Sequence, residues 1–325
     1  MGAQDRPLVL VVVGPTAVGK SELALRLCER FRGELLSVDS MQVYRGLDAG
    51  TSKPDPGDRR RAVHHGIDVA LPGEDFSLGD FVHHAERTIA AIRQRRRLPV
   101  LVGGTGLYLR GLLRGIVDAP RRDAAIRGRL DESARRRGVE HLHRMLRRVD
   151  GEAARRLGPR DRQRVVRALE VFFATRRGLS EWIRESPFGP DRYDAIKIGL
   201  NMDREVLYRR IDARVDRFFS GGLIEEVQGL LAGGCPPSAN AFKALGYREC
   251  LGYLAGESPL DETVALTRRN TRRYAKRQLT WFRSEQEVVW FHLDPNDEDR
   301  FRAPLQHAER QLVARGYQWT KMAER

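Results

Sequence analysis

Apolar residues fall along this chain in two textures. The first is short, β-branched blocks at 8–13 (LVLVVV), 34–38 (ELLSV), 99–102 (PVLV), 195–200 (AIKIGL) and 288–293 (VVWFHL). Of these, 8–13 reads as a buried strand of a parallel sheet and 99–102 as another buried strand, 34–38 as the next strand after 8–13, 195–200, which alternates weakly, as a returning strand, and 288–293 as a last strand. The second texture has helical spacing. Leu23, Leu27 and Phe31 share one face of a helix expected over 21–32, with Gly33 as its C-cap. Another helix is expected over 81–95. Strand, loop, helix and strand at the amino end make a βαβ unit, and residues 50–76, rich in Pro, Gly, Asp and Arg, read as a long surface loop.

From Arg121 to Pro190 the strand blocks disappear. Ile126, Leu130 and Ala134 recur at helical spacing, as do Leu142, Met145, Leu146 and Val149, and then Val165, Val166, Leu169, Phe172 and Phe173. This predicts an all-helical insertion bounded by Pro120 and by Pro187 to Pro190. After the returning strand, 203–231 predicts a long helix broken at Gly221-Gly222. Ser258-Pro259 predicts a helix start, with Ser258 as N-cap and Pro259 in the first position, running to Arg283.

The loop after the first block is G-x-x-x-x-G-K-S: Gly14, Gly19, Lys20 and Ser21. Between a strand and a helix, such a loop aims backbone N–H groups and the helix N-terminus at phosphates. Lys20 reaches the terminal phosphates and Ser21 can ligate Mg²⁺. The fold class is therefore α/β, a P-loop NTPase-like parallel sheet core with an all-helical insertion domain. Its expected parts are 1–120 and 193–298 for the core, 121–192 for the insertion and 299–325 for a polar, peripheral tail.

Asp39 ends the second strand, at the edge where ligands bind in open α/β sheets. Three readings stand open: a metal-holding carboxylate, a general base within reach of a nucleophile's proton, and a cap. Thr105 follows Gly103-Gly104 at the end of the next strand and brings a hydroxyl to the same crevice. That strand ends without an acidic residue, which weakens an ATPase reading.

Charge adds a partner. The 325 residues hold 58 Lys and Arg against 44 Asp and Glu, a formal net charge of +14. A polyanion, nucleic acid first, is the expected partner. Residues 121–190 carry no lysine and about twice as many arginines as acids. Gln163 and Arg167 share a helix face, as do Arg269, Arg273 and Lys276. Like charges so spaced repel, so an external phosphate backbone is expected to answer them. The three cysteines are far apart and suggest neither a disulfide framework nor a zinc site. No apolar run approaches a membrane span. The start MGAQDRP has no apolar leader, and Arg6 stands where a myristoylation signal needs Ser or Thr. A cytoplasmic, monomeric protein without membrane association is expected.

The stretches GPTAVGKS, SVDSMQVYRGLDAGTSKP, VLVGGTGLYLRGLL, DRQRVVRALEVF, ALGYRE and YAKRQLTWFR follow one another in this order. In order and spacing the series resembles the tRNA dimethylallyltransferases, or tRNA isopentenyltransferases, over about residues 8–293. The absence of a Cys/His zinc module, such as eukaryotic members carry, resembles the bacterial form. The resemblance implies transfer of a dimethylallyl group from dimethylallyl diphosphate to the N6 amine of the adenosine 3′ of the anticodon (position 37), in tRNAs reading codons that begin with U. It implies that Gly14, Thr16, Ala17, Val18, Gly19, Lys20 and Ser21, with Arg210 and Arg214, bind the diphosphate, and that Ser21 ligates Mg²⁺. It makes Asp39 the general base and Thr105 a residue of the reaction channel. The segment Asp39, Ser40, Met41 and Gln42 would meet the target nucleotide. Further contacts to the anticodon stem-loop would come from Arg127, from Gln163, Arg164, Val165, Val166 and Arg167, from Lys243, Gly246, Tyr247 and Arg248, and from Lys276, Arg277, Gln278, Trp281 and Arg283. Two rivals remain: an adenylate isopentenyltransferase acting on free AMP or ATP, which would not need the basic insertion, and an RNA-binding P-loop kinase or ATPase.

Overall fold

The computed structural model describes residues 6–319 apart from 118, 121, 186–188 and 190. Arg121, Pro187 and Pro190, taken above as bounds of the insertion, lie outside the described residues. The chain divides into two compact units, Met1–Leu113 with Tyr193–Arg325, and Arg114–Arg192.

The first unit opens with β1 (Leu8–Val13), α1 (Lys20–Phe31) and β2 (Gly33–Val38). Gly33 is not the cap of α1. Arg32 takes the left-handed conformation there, with φ 55°, and Gly33 already lies in the strand, where a Cβ would stand 2.9 Å from Val100 Cγ2. Close packing between strands, rather than the turn, is what requires the glycine. The expected loop 50–76 holds two elements, α2 (Pro56–Arg61), capped by the Asp55 side chain, and β3 (His64–His65). Next come α3 (Leu78–Gln94), β4 (Leu98–Gly103) and α4 (Gly106–Arg114). Helix α3 starts earlier than its apolar spacing suggests because Ser77 and Asp80 form a capping box.

Among the described residues the second unit holds five further helices: α5 (Ala124–Arg137), α6 (Val139–Val149), α7 (Gly151–Arg156), α8 (Arg162–Thr175) and α9 (Leu179–Glu185). Its own core gathers Leu130, Leu142, Leu146, Val165, Val166 and Leu169.

The first unit resumes with β5 (Asp194–Asn201), α10 (Arg204–Ser220), α11 (Leu223–Ala232), α12 (Tyr247–Leu254), α13 (Leu260–Arg283), β6 (Val288–His292) and α14 (Arg302–Ala314). The break at Gly221-Gly222 separates α10 from α11, and Gly222 adopts φ 90°. Helix α13 begins one residue later than expected. Pro259 occupies the N-cap position, and Ser258 Oγ lies 3.0 Å from Thr263 Oγ1 instead of capping. The tail is not peripheral. Phe301, Ala308 and Leu312 are buried in the core that also holds α1.

The six strands pair in the order β3-β2-β4-β1-β5-β6, all parallel. Strand β1 is central, its residues Val9 to Val13 almost fully buried. The loops leaving β1, β2 and β4 therefore open at the same edge of the sheet, the edge at which α/β folds bind ligands. Among the described residues no helix is long and apolar enough to cross a membrane.

Candidate active site

The loop 14–19 is shaped by backbone constraints on both sides. Gly14 has φ 142°, and a Cβ there would lie 2.5 Å from the Leu200 carbonyl oxygen of β5. Ala17 sits at φ 66°, a left-handed conformation uncommon for alanine. Gly19, at φ 110°, is the N-cap of α1 and packs under the Phe301 ring. Lys20 begins α1 and folds back across the loop, its Nζ donating to Pro15 O at 2.7 Å. From α10, Arg210 Nε donates to Ala17 O at 2.8 Å.

Beside the loop lies a cavity of about 390 Å³, lined by Lys20, Ser21, Arg210, Arg214 and Arg217 among others. Burial pushes the Lys20 ammonium down to about 7, Arg214 lowers it further, and Asp39 partly offsets both. Burial also lowers Arg214, to about 10, with Asp39 opposing and Arg217 adding to the shift. Glu22 lines the cavity too, but its carboxylate is engaged by Arg26 at 2.7 Å and Arg61 at 2.9 Å. Four crowded cations with so little local compensation form a site built for an anion. Arg217 completes an i, i+4, i+7 series with Arg210 and Arg214. That spacing was legible in the sequence, yet Arg217 was not singled out.

Asp39 stands just past β2. Its Oδ1 accepts the backbone N–H groups of Met41, at 2.8 Å, and Gln42, at 3.3 Å. The capping reading is thus part of its role, since the turn fixes the carboxylate, and Oδ2 has no hydrogen-bond partner among the described residues. Thr105 Oγ1 accepts from Ser40 N at 3.2 Å, and Thr105 N donates to Val38 O. Gln42 braces the chain behind: its Oε1 accepts from Ser37 Oγ, and its Nε2 reaches the carbonyls of Thr51 and Ser52. Asp39 and Thr105 are thereby brought to one point beside Lys20 and Arg214.

Tyr274, on α13, was missed. Its side chain meets Thr105 and Gln278 and lies near Asp39, and burial raises its hydroxyl well above the usual phenol range. The signal was its place one turn before Gln278.

Several expected RNA contacts face inward instead. Val165 and Val166 are buried in the helical unit's core and offer no side-chain surface to an RNA. Tyr247 is fully buried, its hydroxyl shared between Glu226 and Gly50 N. Gly246 N donates to Glu249. Gln278 is buried, and the Trp281 indole nitrogen lies so close to Gly106 that a Cβ there would be 2.1 Å away. Arg110 stacks over the Trp281 ring. Gln163, Arg164, Arg248, Lys276, Arg277 and Arg283 are exposed, while Lys243 meets Asn240. Arg127 and Arg167 are half-buried and converge on Glu170, at 3.0 Å each. Arg167 also donates to Pro120 O, and Glu170 accepts Asp123 N. Burial would raise Glu170, but these bonds more than offset it and hold the carboxyl below its usual range.

Among the described residues no group of three or more His, Cys, Asp or Glu is placed to hold a metal. An ion brought in on a phosphate needs fewer protein ligands, and the exposed Ser21 hydroxyl on the cavity wall suits Mg²⁺ bound largely by phosphate and water.

Comparison with known proteins adds the following. The sequence model of the family described as IPP transferase matches residues 42–285. A curated tRNA dimethylallyltransferase of Geobacter metallireducens is 49% identical over 290 residues, 89% of this chain and 94% of that protein. One of Geobacter sulfurreducens is 48% identical, covering 90% and 94%. The crystal structure of a Bacillus halodurans tRNA isopentenylpyrophosphate transferase superposes with TM-score 0.71 at 39% identity, covering 96% of this chain and 98% of that one. A eukaryotic dimethylallyltransferase described as acting on tRNA gives TM-score 0.80 at 26% identity, covering 98% and 81%.

Proposed function

The chain belongs to the IPP transferase family, that of the tRNA dimethylallyltransferases, and on that premise we propose that it moves the dimethylallyl group of dimethylallyl diphosphate to N6 of the adenosine at position 37 of tRNAs reading codons that begin with U. The observation that carries the donor reading is the group of cations around the loop 14–21, of which burial lowers Lys20, Arg214 and Arg210. Backbone N–H groups, an ammonium and guanidinium groups recognise two phosphates whatever is attached to them. A Mg²⁺ ion held at Ser21 would neutralise charge on the diphosphate.

The acceptor base leaves its stack to reach this crevice. Asp39, oriented through Oδ1 by its turn, receives the N6 proton at Oδ2. As the N6–C1 bond forms, the C1–O bond breaks and its electron pair leaves with the diphosphate. Lys20, Arg210 and Arg214 stabilise that growing charge. The adenine amine is a poor nucleophile, so alignment supplies much of the rate. The exposed cations of the helical unit and of α13 hold the tRNA backbone. The protein works in the cytoplasm as a monomer. A free adenylate acceptor is disfavoured, since the curated relatives are named for tRNA.

The test is direct. Purified protein is incubated with Mg²⁺, dimethylallyl diphosphate and unmodified tRNA, with AMP and ATP as parallel acceptors, and digested nucleosides are weighed by mass spectrometry. Prenylated adenosine from tRNA alone is expected. Prenylated AMP would move the chain to the adenylate enzymes, and phosphate release from ATP without prenylation would overturn the donor reading.

A further inference from the structure

Helix α13 presents two faces. Arg269, Arg273, Lys276 and Arg277 are exposed, while Thr263, Thr267, Thr271 and Gln278 are buried. The buried face lies on the loops that carry the chemistry. Gln278 Oε1 accepts the backbone N–H of Thr16, in the phosphate loop, at 2.8 Å. Its Nε2 donates to Gly104 O, in the loop after β4, at 3.0 Å. The approach is so close that a Cβ on Gly104 would lie 1.9 Å from Nε2. One turn earlier, the Tyr274 hydroxyl lies beside Gln278 and Thr105. A single amide thus ties the donor loop to the loop that positions Thr105, and does so from the helix whose outer face carries the exposed cations.

We infer that Gln278 is a positioning residue for the diphosphate donor rather than an RNA contact: it holds the loop 14–19 in register with the Gly104–Thr105 turn, so that donor and acceptor sites are set by one helix. The inference rests on the reading of that loop as the donor site. Two features support it. Thr16 N–H is engaged by protein, so the phosphates meet a loop of which one N–H is already fixed by α13. And an apolar residue of the same length would leave two buried polar groups, Thr16 N and Gly104 O, without partners, which relaxes the loop or strains it.

The experiment compares the full-length wild type with Gln278→Met and Tyr274→Phe. Affinity for inorganic diphosphate with Mg²⁺ is read by calorimetry, affinity for an unmodified anticodon stem-loop RNA by filter binding, and folding by thermal melting. Gln278→Met is expected to weaken diphosphate binding about tenfold, equivalent to ~1.4 kcal/mol, with RNA affinity within twofold of wild type. The KM for dimethylallyl diphosphate should rise in step while the KM for tRNA does not. Weakened RNA binding with unchanged diphosphate affinity, or no change in either, overturns the inference. Should Gln278→Met fail to fold, Tyr274→Phe decides, because it keeps the ring and removes only the hydroxyl that lies against Gln278 and Thr105. A two- to fivefold loss of diphosphate affinity at unchanged RNA affinity is expected, and none overturns the inference. Wild type that binds no diphosphate overturns the donor reading itself, and is recognised before any variant is compared.

Discussion

Around the loop 14–21, Lys20, Arg210, Arg214 and Arg217 have no ion-pair partner among the described residues. In the helical unit many arginines are paired. Arg127 and Arg167 share Glu170, Arg162 pairs with Asp131, Arg164 with Asp161, Arg160 with Glu140 and Arg184 with Glu152. Part of the repulsion among arginines there is answered inside the protein, while Arg129, Arg137, Arg144, Arg147, Arg148 and Arg155 have no ion-pair partner among the described residues. What the unit offers an RNA is surplus charge on pre-set guanidinium groups. What the crevice offers a diphosphate is charge, at Lys20 and Arg214 above all, that burial makes costly to hold. The first arrangement suits a long, salt-sensitive backbone contact, the second a small ligand whose arrival relieves a local cost.

The sharpest way to break this contrast is at Asp39. Asp39→Asn keeps the Oδ1 acceptor for Met41 and Gln42 but cannot take a proton. Turnover on saturating tRNA is expected to fall by roughly 10²–10⁴, with stem-loop affinity nearly unchanged in filter binding. Asp39→Ala should do as much and also loosen the turn. Normal turnover in the asparagine variant would falsify the base assignment and leave Asp39 as a cap alone.

Next in size is the pH dependence of donor binding. With Lys20 near 7 in the empty protein, it is already charged below that pH, and affinity should not depend on it there. Above pH 7 the ligand must bring a proton with it, so affinity should fall by up to about tenfold per pH unit. Stability has the matching sign: the unfolded lysine keeps its proton to a higher pH, so this group makes the empty protein more stable as pH rises from about 7 toward the ordinary lysine value. Thermal melts at pH 7 and 9, with and without inorganic diphosphate, should show the ligand-induced gain shrinking at the higher pH. Lys20→Met should abolish the difference, and an equal gain at both values would remove Lys20 from the donor site.

Which parts of these sites were legible depended on where their cause lies. The βαβ pattern and G-x-x-x-x-G-K-S are local, so the sheet, the loop and the position of Asp39 could be read from neighbouring residues. Gly33 was misassigned because its reason is Val100, on another strand. The tail looked peripheral because Phe301, Ala308 and Leu312 are widely spaced among polar residues, and the surface they cover is α1 and Gly19, far away in sequence. The inward roles of Gln278 and Tyr247 depend on partners such as Thr16 and Glu226, which no periodicity reveals. Arg217 and Tyr274, by contrast, lay one helical turn from named residues and were within reach of spacing alone.

A smaller effect is expected at Arg167. Arg167→Ala should weaken stem-loop binding roughly three- to tenfold and reduce the slope of log affinity against log salt by about one. Diphosphate affinity should stay as it is. Because Glu170 then keeps only Arg127 as an ionic partner in a buried setting, the melting temperature should drop too, and the salt slope separates the two effects. An unchanged slope would make Arg167 a purely structural partner of Glu170.

The smallest effect sharpens the comparison from the other side. Arg160 is 89% exposed at its side chain and stands 3.3 Å from Glu140, itself half in solvent. Water and salt screen such a pair, and ordering two long side chains offsets most of the attraction. Arg160→Ala should therefore move the melting temperature by no more than about 1 °C, whereas Glu170→Ala, which leaves Arg127 and Arg167 facing an empty buried site, should move it by several. If the two variants melted alike, the buried Glu170 carboxylate would be no more than another surface pair. The helical unit's arginines would then be held in place by its helices and not by Glu170. A large drop for Arg160→Ala alone would mean that the exposed pairs support the fold, and that the unit's positive charge serves its architecture before any RNA.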